Sequence, residues 1–347
     1  MCADAERVME VPMLKRLFAA ALGVGLALAA PVLAAPADAN YFKGKTVTYI
    51  VATGAGGGYD TYGRLIARFM QKYLPGSRMI VRNVPGAGHI IGANTIYTAR
   101  ADGLTIGMFN TGLIYNQLMG LPGIKFDLTK FSWVGKASDE IRVMIVSTKS
   151  GYKSIDDVLK SKVPIKFAAA GVGSAAYLDT RILDFVLPIE IQTVTGFDGA
   201  EGELSMMRGE VVAETGIASS FDQFVKNKNG FYALAMSRLA HETLPGVPQA
   251  SDYVKDEPSR RLLALLEALS DLGRLTAGPP GIPADVLQVL RDAHEKAIKD
   301  PELIAEAMKV NIPVKFGSGD FVTQRIKEAL TQTPETIALL KQAATGK

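Results

Sequence analysis

The amino-acid sequence predicts an α/β protein made of two successive halves. Short apolar strands recur along the 347 residues, glycine-rich turns follow several of them, and amphipathic helices follow those turns. Hydrophobic residues make up 48% of the chain, enough to bury a large core. The length suits two domains.

The first half opens with a β-branched strand within residues 45–52. The turn ATGAGGGYD connects it to a helix in which apolar residues recur at three- and four-residue spacing. A second strand at residues 79–84 leads through another glycine-rich turn into a helix, and a third strand follows at residues 104–109. Strand, glycine turn and helix in this order are typical of an α/β unit.

The second half repeats this pattern, and the C-terminal third is predicted to be mostly helical. Helices are expected to start at Asp300 and Asp320, with a turn-rich connection at residues 276–283. The strands of the second half are predicted at residues 141–147, 165–170, 189–194 and 231–236.

An apolar segment near the N-terminus predicts a secretory signal. Lys15 and Arg16 precede the apolar residues 17–33, and small residues follow them. A membrane anchor is the alternative, but the run is shorter than the ~20 residues that span a bilayer. Small-x-small cleavage sites lie after Ala39 and near Ala34. We expect residues 1–39 to be removed as a signal peptide and the protein to be exported to the periplasm.

Composition excludes several classes of function. Cys2 is the only cysteine and lies in the predicted signal, so the mature chain would have neither disulfides nor a catalytic thiol. The 38 basic and 35 acidic residues nearly balance, and no dense basic run is present. Nucleic acid is therefore not an expected partner.

The glycine-rich turns are candidate anion sites. Each opens a helix, whose free N–H groups and partial positive charge favour a carboxylate or phosphate. The alternative is that they are only tight turns, which glycine permits. A nucleotide loop is disfavoured because no lysine follows the glycines, and residues 86–92 miss the dinucleotide fingerprint by one position.

Catalysis is not expected. No G-x-S-x-G elbow is present, and of the three histidines only His89 lies in a glycine turn. His294 lies in a polar helical stretch and is expected at the surface, and His241 has no metal-ligand spacing around it. Glu201 and Glu203 are interpreted as helix caps. We expect no catalytic residue, no metal and no cofactor.

Five motifs follow one another along the chain, at residues 52–60, 81–92, 101–106, 167–178 and 195–199. In this order they resemble the Bug/TctC family, the periplasmic substrate-binding proteins of tripartite tricarboxylate transporters. The resemblance implies a periplasmic binding protein type II-like α/β fold, with two α/β domains and crossing hinge strands around a central ligand cleft. One domain would comprise residues 40–140 and 255–347, and the other residues 141–254.

The resemblance also implies a function. The protein would be an extracytoplasmic receptor that binds a small organic acid and delivers it to the membrane subunits of a tripartite transporter. Two alternatives remain: a receptor that feeds a sensor or signalling partner, and, less favoured, an enzyme on the same scaffold. A monomer is expected.

Matching the motifs position by position implies a set of ligand-binding residues. Ser174 is expected to hold the carboxylate through its Oγ and N–H, whereas Asp60 is expected to cap a helix and shape its loop. The full set is Gly57, Gly58, Tyr59, Asp60, Ala87, Gly88, His89, Gly173, Ser174, Phe197 and Gly199.

Departures from the family pattern bear on the ligand. His89 stands where the family usually has glycine, and Phe197 where it usually has tyrosine. With Phe109, Tyr59 and Tyr115 in the cleft, an aromatic site would favour a monocarboxylate or aromatic acid over citrate. The alternative is that these aromatic residues belong to the core.

Overall fold

The computed structural model describes residues 37–310 and 312–346, so the apolar run of the predicted signal lies outside the described residues. The strands are β1 (Thr46–Val51), β2 (Arg78–Asn83), β3 (Thr105–Phe109), β4 (Ser132–Ser138), β5 (Arg142–Ser147), β6 (Ile165–Ala169), β7 (Ile191–Thr195), β8 (Ala213–Ile217), β9 (Gly230–Ala235), β10 (Gly273–Gly278) and β11 (Gly317–Ser318). The α-helices are α1 (Gly58–Lys72), α2 (Ile90–Tyr97), α3 (Gly112–Met119), α4 (Ile155–Leu159), α5 (Ala175–Val186), α6 (Glu201–Arg208), α7 (Ala218–Lys226), α8 (Arg238–Thr243), α9 (Glu257–Ala268), α10 (Ala284–Ile298), α11 (Pro301–Lys309), α12 (Gly319–Leu330) and α13 (Pro334–Thr345).

The strands form two separate sheets. The first has the order β11-β4-β10-β3-β1-β2, with β1 parallel to β2 and β3, and β10 antiparallel to β3 and β4. The second has the order β7-β6-β8-β5-β9, with β6 parallel to β7 and β8, and β5 antiparallel to β8 and β9. This arrangement is the mixed α/β fold that the sequence predicts.

The chain passes between the sheets twice. It enters the second sheet directly from β4 into β5 and returns through α8 and α9 to β10. The first sheet with α1, α2, α10, α11 and α12 is here the first lobe, and the second sheet with α5, α6 and α7 the second lobe. We propose the two crossings as the hinge, with residues 40–140 and 255–347 in one domain and residues 141–254 in the other.

Four strands are absent from the sequence prediction: β4, β8, β10 and the two-residue β11. Every residue of β4 and β10 is buried, because helices cover the sheet, so polar and apolar positions do not alternate. Each of these two strands also carries a buried charged residue, Lys136 or Arg274. The predicted turn-rich connection at residues 276–283 is wrong at its start, since Thr276 still belongs to β10.

Two helix assignments also change. His294, expected at the surface, is fully buried in α10, because it shares a helix face with the buried Leu290 and Ala297. Burial lowers the pKa of His294 to about 4. The N-cap of α12 is Ser318 rather than Asp320, and its Oγ accepts the N–H of Phe321. Within residues 37–310 and 312–346, no helix is long and apolar enough to span a bilayer.

Candidate functional site

A cavity of about 490 Å³ lies where the carboxyl ends of strands from both sheets meet. Thr53 and Asn110 line it just after β1 and β3, and Ala170 and Ile217 line it at the ends of β6 and β8. Ligands of open α/β sheets bind at this edge, because the strand-to-helix turns present backbone N–H groups there. The main cavity is therefore the candidate binding site.

Glycine turns of the two lobes touch beside the main cavity. A Cβ on Gly57 would lie 2.9 Å from the Cα of Gly199, and one on Gly199 would lie 2.8 Å from the Ala55 carbonyl oxygen. The N–H of Gly54 also donates a hydrogen bond to Asp198 Oδ2 at 3.0 Å. Only residues without side chains at positions 57 and 199 allow this approach, so the cleft is closed here.

Arg274 joins the lobes at a second place. Its guanidinium lies over the rings of Tyr59 and Tyr62, at 4.0 and 4.6 Å from their centroids. Its Nη2 donates a hydrogen bond to Ser220 Oγ on α7 at 3.2 Å. A charged side chain in β10 of the first lobe therefore reaches the second lobe beside the main cavity.

Most of the predicted ligand-binding residues lie at a cavity. Ala87 and Gly88 line a neighbouring cavity of about 490 Å³, which His89 shares with the main cavity. Asp60 and Gly173 line neither of these two cavities. The residues that line the main cavity are Gly57, Gly58, Tyr59, His89, Ser174, Phe197 and Gly199.

Asp60 shapes the first glycine turn but is not the helix cap. The N-cap of α1 is Gly57, and Asp60 lies in the first turn. Its carboxylate accepts hydrogen bonds from Gly56 N–H at 3.1 Å, Arg64 Nε at 3.0 Å and Asn83 Nδ2 at 2.9 Å. Burial opposes ionisation, but these hydrogen bonds outweigh it and lower the pKa of Asp60.

Ser174 is the N-cap of α5 and is completely buried. Its Oγ accepts the N–H of Tyr177 at 3.1 Å, and its own N–H donates to the Gly171 carbonyl at 2.9 Å. The expected role of the Ser174 N–H as a ligand donor is therefore not supported, whereas the hydroxyl proton is still available. The carbonyl of the neighbouring Gly173 accepts Asn116 Nδ2 at 2.8 Å and so joins the turn before α5 to α3.

His89 lies between the two cavities. Its backbone has a φ of 77°, in the left-handed region that favours glycine. Both ring nitrogens are buried without a hydrogen-bond partner among the described residues, and Nε2 lies 3.8 Å from Asp198 Oδ1. Asp198 is held by the N–H groups of Gly54 and Gly199. The imidazole therefore has the Asp198 carboxylate as its polar neighbour, without a hydrogen bond of ordinary length to it.

Sequence reasoning missed a buried ionic cluster at the main cavity. Arg142 on β5 is 1% exposed, lines this cavity, and pairs with Glu140 and Asp179. Glu140 also accepts the hydroxyls of Tyr59 at 2.9 Å and Thr111 at 2.7 Å. Burial raises the pKa of Asp179 to about 6, although the Arg142 charge acts in the opposite direction. A charged residue inside the apolar run IRVMIVS was the available signal.

The carboxylates of Glu140 and Asp179 neutralise the charge of Arg142, but they do not accept hydrogen bonds from all of its N–H donors. Its Nε is buried without a hydrogen-bond partner in the part of the chain that the structure describes. The same holds for Nδ2 of Asn110, whose Oδ1 accepts the Gly112 N–H at 2.8 Å. Both residues line the main cavity, and buried donors of this kind are normally paired.

A pair of glutamates also lines the main cavity. Glu203, interpreted from the sequence as a helix cap, lies in the first turn of α6 and lines the cavity together with Glu214 on β8. Burial raises the pKa of Glu203 to about 7. Burial and the charge of Glu203 raise the pKa of Glu214 well above its usual range. Glu214 was missed because its partner lies on another element.

The aromatic residues divide between cavity and core. Tyr59 and Phe197 line the main cavity, together with Tyr62 and Phe221, which sequence reasoning did not name. Phe109 is buried in the core against Phe131 and Trp133, with ring centroids 5.2 and 5.7 Å away. Tyr115 is likewise in the core, so the cleft has only part of the predicted aromatic lining.

Two α/β lobes with a cavity at their junction are the architecture of solute-binding proteins. The family model described as "Tripartite tricarboxylate transporter family receptor", TctC, matches residues 63–340, and the chain belongs to this family. The predicted family is therefore confirmed. It is a family of periplasmic receptors, which implies that this protein is a periplasmic solute receptor.

Known proteins resemble this chain over most of its length. A UPF0065 protein from the tcbD-tcbE intergenic region of Pseudomonas sp. strain P51 is 25% identical over 293 residues, which are 82% of this chain and 83% of that protein. The solved structure of MatC from Rhodopseudomonas palustris with bound malate has a TM-score of 0.71 at 19% identity, covering 86% of this chain and all of that one (100%). The periplasmic binding protein BugD has the same TM-score, 0.71, at 19% identity, covering 87% of this chain and 98% of its own.

Proposed function

We propose that this receptor binds an organic acid in the main cavity and delivers it to the membrane subunits of a tripartite transporter. The observation that carries the proposal is the set of buried polar atoms without partners among the described residues that line this one cavity. Its donors belong to Arg142, Asn110 and His89. Buried donors are rarely left unpaired, so a polar ligand is the natural acceptor.

The N-terminus of α1 supports a carboxylate as that ligand. The N–H groups of Gly58 and Tyr59 open this helix and have no acceptor within it, and both residues line the main cavity. The helix dipole adds a partial positive charge at the same point. The Ser174 hydroxyl, after accepting the Tyr177 N–H, can still donate its proton to the ligand.

The charges around the cavity favour one carboxylate over three. Asp198, Glu203 and Glu214 all line it, and Arg142 is already neutralised by two carboxylates. A tricarboxylate would meet these three acidic groups, whereas the cations at the cavity that have no acidic partner among the described residues are Arg274 beside it and the exposed Lys309. The malate bound to MatC is consistent with a small acid in a cleft of this fold.

A binding screen of the protein, expressed from its full sequence, exported and purified from the periplasm, tests the proposal. Thermal melting would be followed with aliphatic mono-, di- and tricarboxylic acids of three to ten carbons and with aromatic acids. A ligand at a hundred times its Kd stabilises the folded state by ~2.7 kcal/mol. We expect at least one acid to raise the melting temperature in a saturable way.

The small molecules released from the denatured protein would be identified by mass spectrometry. If no added acid stabilises the protein but one acid is released in stoichiometric amount, the site was already occupied by that acid during the screen. No stabilisation by any acid, together with release of no acid, would contradict the proposal.

A further inference from the structure

Glu203 and Glu214 face the same cavity from two different elements of the second lobe. Glu203 comes from the first turn of α6, and Glu214 from β8, against which α6 packs. One oxygen of each, Oε2, is buried without a hydrogen-bond partner among the described residues. Both residues line the main cavity, as does the deeply buried Arg142, whose Nε has no hydrogen-bond partner in the described part of the chain. The pair therefore belongs to a built polar site.

The basic groups of the surrounding elements do not neutralise this pair. Arg142 on β5 is held by Glu140 and Asp179, and Arg208 at the end of α6 pairs with Glu210. Lys166 on β6 is exposed, and Arg181 on α5 pairs with Asp184. Across the described chain, no basic side chain lies within salt-bridge distance of either glutamate.

The other polar groups at the cavity do not neutralise it either. Lys309 lines the cavity from the first lobe but is exposed. On α7, Asp222 is engaged by the Tyr232 hydroxyl at 2.6 Å, and Gln223 adds only an amide. His89 lies beside Asp198. Arg274 beside the cavity bonds Ser220 on α7 and is likewise not paired with either glutamate. Among the described residues, the carboxyl pair therefore has no counter-charge within salt-bridge distance.

Two neighbouring carboxyls in a partly desolvated cavity repel each other when both are ionised, so they retain a proton between them. A ligand ammonium would relieve that repulsion and bond both unpartnered oxygens. A second ligand carboxylate at the same place would increase the repulsion. The pair therefore discriminates between ligands by the charge of the group that reaches it.

We infer that Glu203 and Glu214 form a subsite for a protonated amine, and that the ligand is a carboxylic acid that also carries an amino group. This inference rests on the proposed function, because the carboxylate of the same ligand is held by the donors described above. The amine subsite explains why acidic residues line the cavity of a receptor for acids.

A matched ligand series tests the amine subsite. At each length from four to eight carbons, calorimetry would compare the ω-amino acid, the ω-hydroxy acid and the dicarboxylate, together with the α-amino and α-hydroxy acids and the plain alkylamine. At pH 7 we expect the best amino acid to bind at least tenfold more tightly than its hydroxy analogue, and the dicarboxylate to bind more weakly still.

Glutamine variants test whether Glu203 and Glu214 cause the preference for amino acids. Glu203→Gln and Glu214→Gln should each weaken binding of the best amino acid at least tenfold, while affinity for the hydroxy analogue stays within threefold. Glu201→Gln is the control, because Glu201 lies in the same helix but does not line the main cavity. Melting curves of all variants confirm that they fold.

The outcomes separate the two claims. If acids bind but amino acids bind no better than hydroxy acids or dicarboxylates, or the Gln variants affect all ligands equally, the amine subsite is overturned and the organic-acid receptor remains. If alkylamines bind through the pair and no carboxylic acid does, the subsite is supported and the proposed function fails. No binding by any acid or amine overturns both.

Discussion

Gly57 in the turn after β1 lies against Gly199 in the turn after β7, so that a Cβ on Gly57 would come within 2.9 Å of the Gly199 Cα. The two turns belong to different lobes, and their contact closes one side of the main cavity. The absence of two side chains is therefore what allows closure at this point. Solute receptors depend on such closure, because contacts made only in the closed state shift the population toward it.

Gly57→Ala should weaken ligand binding at least tenfold by holding the turns apart. The backbone of Gly57 has a φ of −88°, which alanine adopts without strain, so the effect would come from the steric contact alone. Gly54→Ala in the same turn is the matched control, since its Cβ would lie at an ordinary 3.4 Å from Asp198. Equal affinities of the two variants in calorimetry would contradict the closure argument.

Ser174→Ala should lower both the free energy of unfolding and the affinity for the acid, each by about 1 kcal/mol, through loss of the α5 cap and of the hydroxyl donor. Ser154→Ala is the control. Ser154 caps α4 by accepting the Asp157 N–H at 3.2 Å and does not line the main cavity, so only stability should fall. An affinity unchanged in Ser174→Ala would remove its hydroxyl from the site.

Arg142→Met should reduce the free energy of unfolding by about 3–5 kcal/mol, because it leaves Glu140 and Asp179 buried without their counter-charge. Denaturant unfolding measures this loss. Arg208→Met, which breaks the exposed pair with Glu210, should have little effect. Adding Asp179→Asn to Arg142→Met should recover part of the loss, and a failure to do so would show that charge is not the cause.

Stability should depend on pH through Glu203. Burial raises its pKa from the ordinary 4.5 to about 7, so the folded state binds a proton that the unfolded state releases. The folded protein therefore loses stability as the pH rises from 4.5 to about 7. Glu203→Gln should remove roughly 1–3 kcal/mol of that loss. An unchanged pH profile, like that expected for Glu201→Gln, would contradict this assignment.

The titration of His294 should make the folded protein less stable as the pH falls, opposite to the effect of Glu203. Burial lowers its pKa from 6.5 to about 4, so the unfolded state gains a proton that the folded state excludes. Stability is therefore lost as the pH falls from 6.5 to about 4. His294→Leu should flatten this limb by roughly 1–3 kcal/mol. If the free energy of unfolding falls as steeply with decreasing pH in the variant as in the natural protein, another group causes the loss.

The sequence predicted those parts of the fold that depend on neighbouring residues. β1, its glycine turn and α1 follow one another within the chain, and their β-branched and helical patterns are local. β4 and β10 were not predicted, because burial on both faces removes the alternation of polar and apolar residues. His294 was misplaced because its polar neighbours, not its own helix face, dominated the interpretation.

The residues of the candidate site likewise fall into those that local motifs predict and those that depend on distant partners. The glycine turns and Ser174 could be matched to family motifs, and they lie at the cavity. Arg142 and Asp179 are 37 positions apart, and Glu214 meets Glu203 only when β8 packs against α6. Charged residues whose partners lie far away in the sequence form no motif of recognisable spacing. The ionic cluster and the carboxyl pair therefore became visible only in the structure.

The most direct test of the central claim is a crystal structure with the acid that best stabilises the protein. We expect the ligand carboxylate in the main cavity, within hydrogen-bond distance of the Gly58 or Tyr59 N–H groups, with the lobes closed and Gly57 against Gly199. An acid bound outside this cavity, or one that leaves these donors untouched, would contradict the central claim.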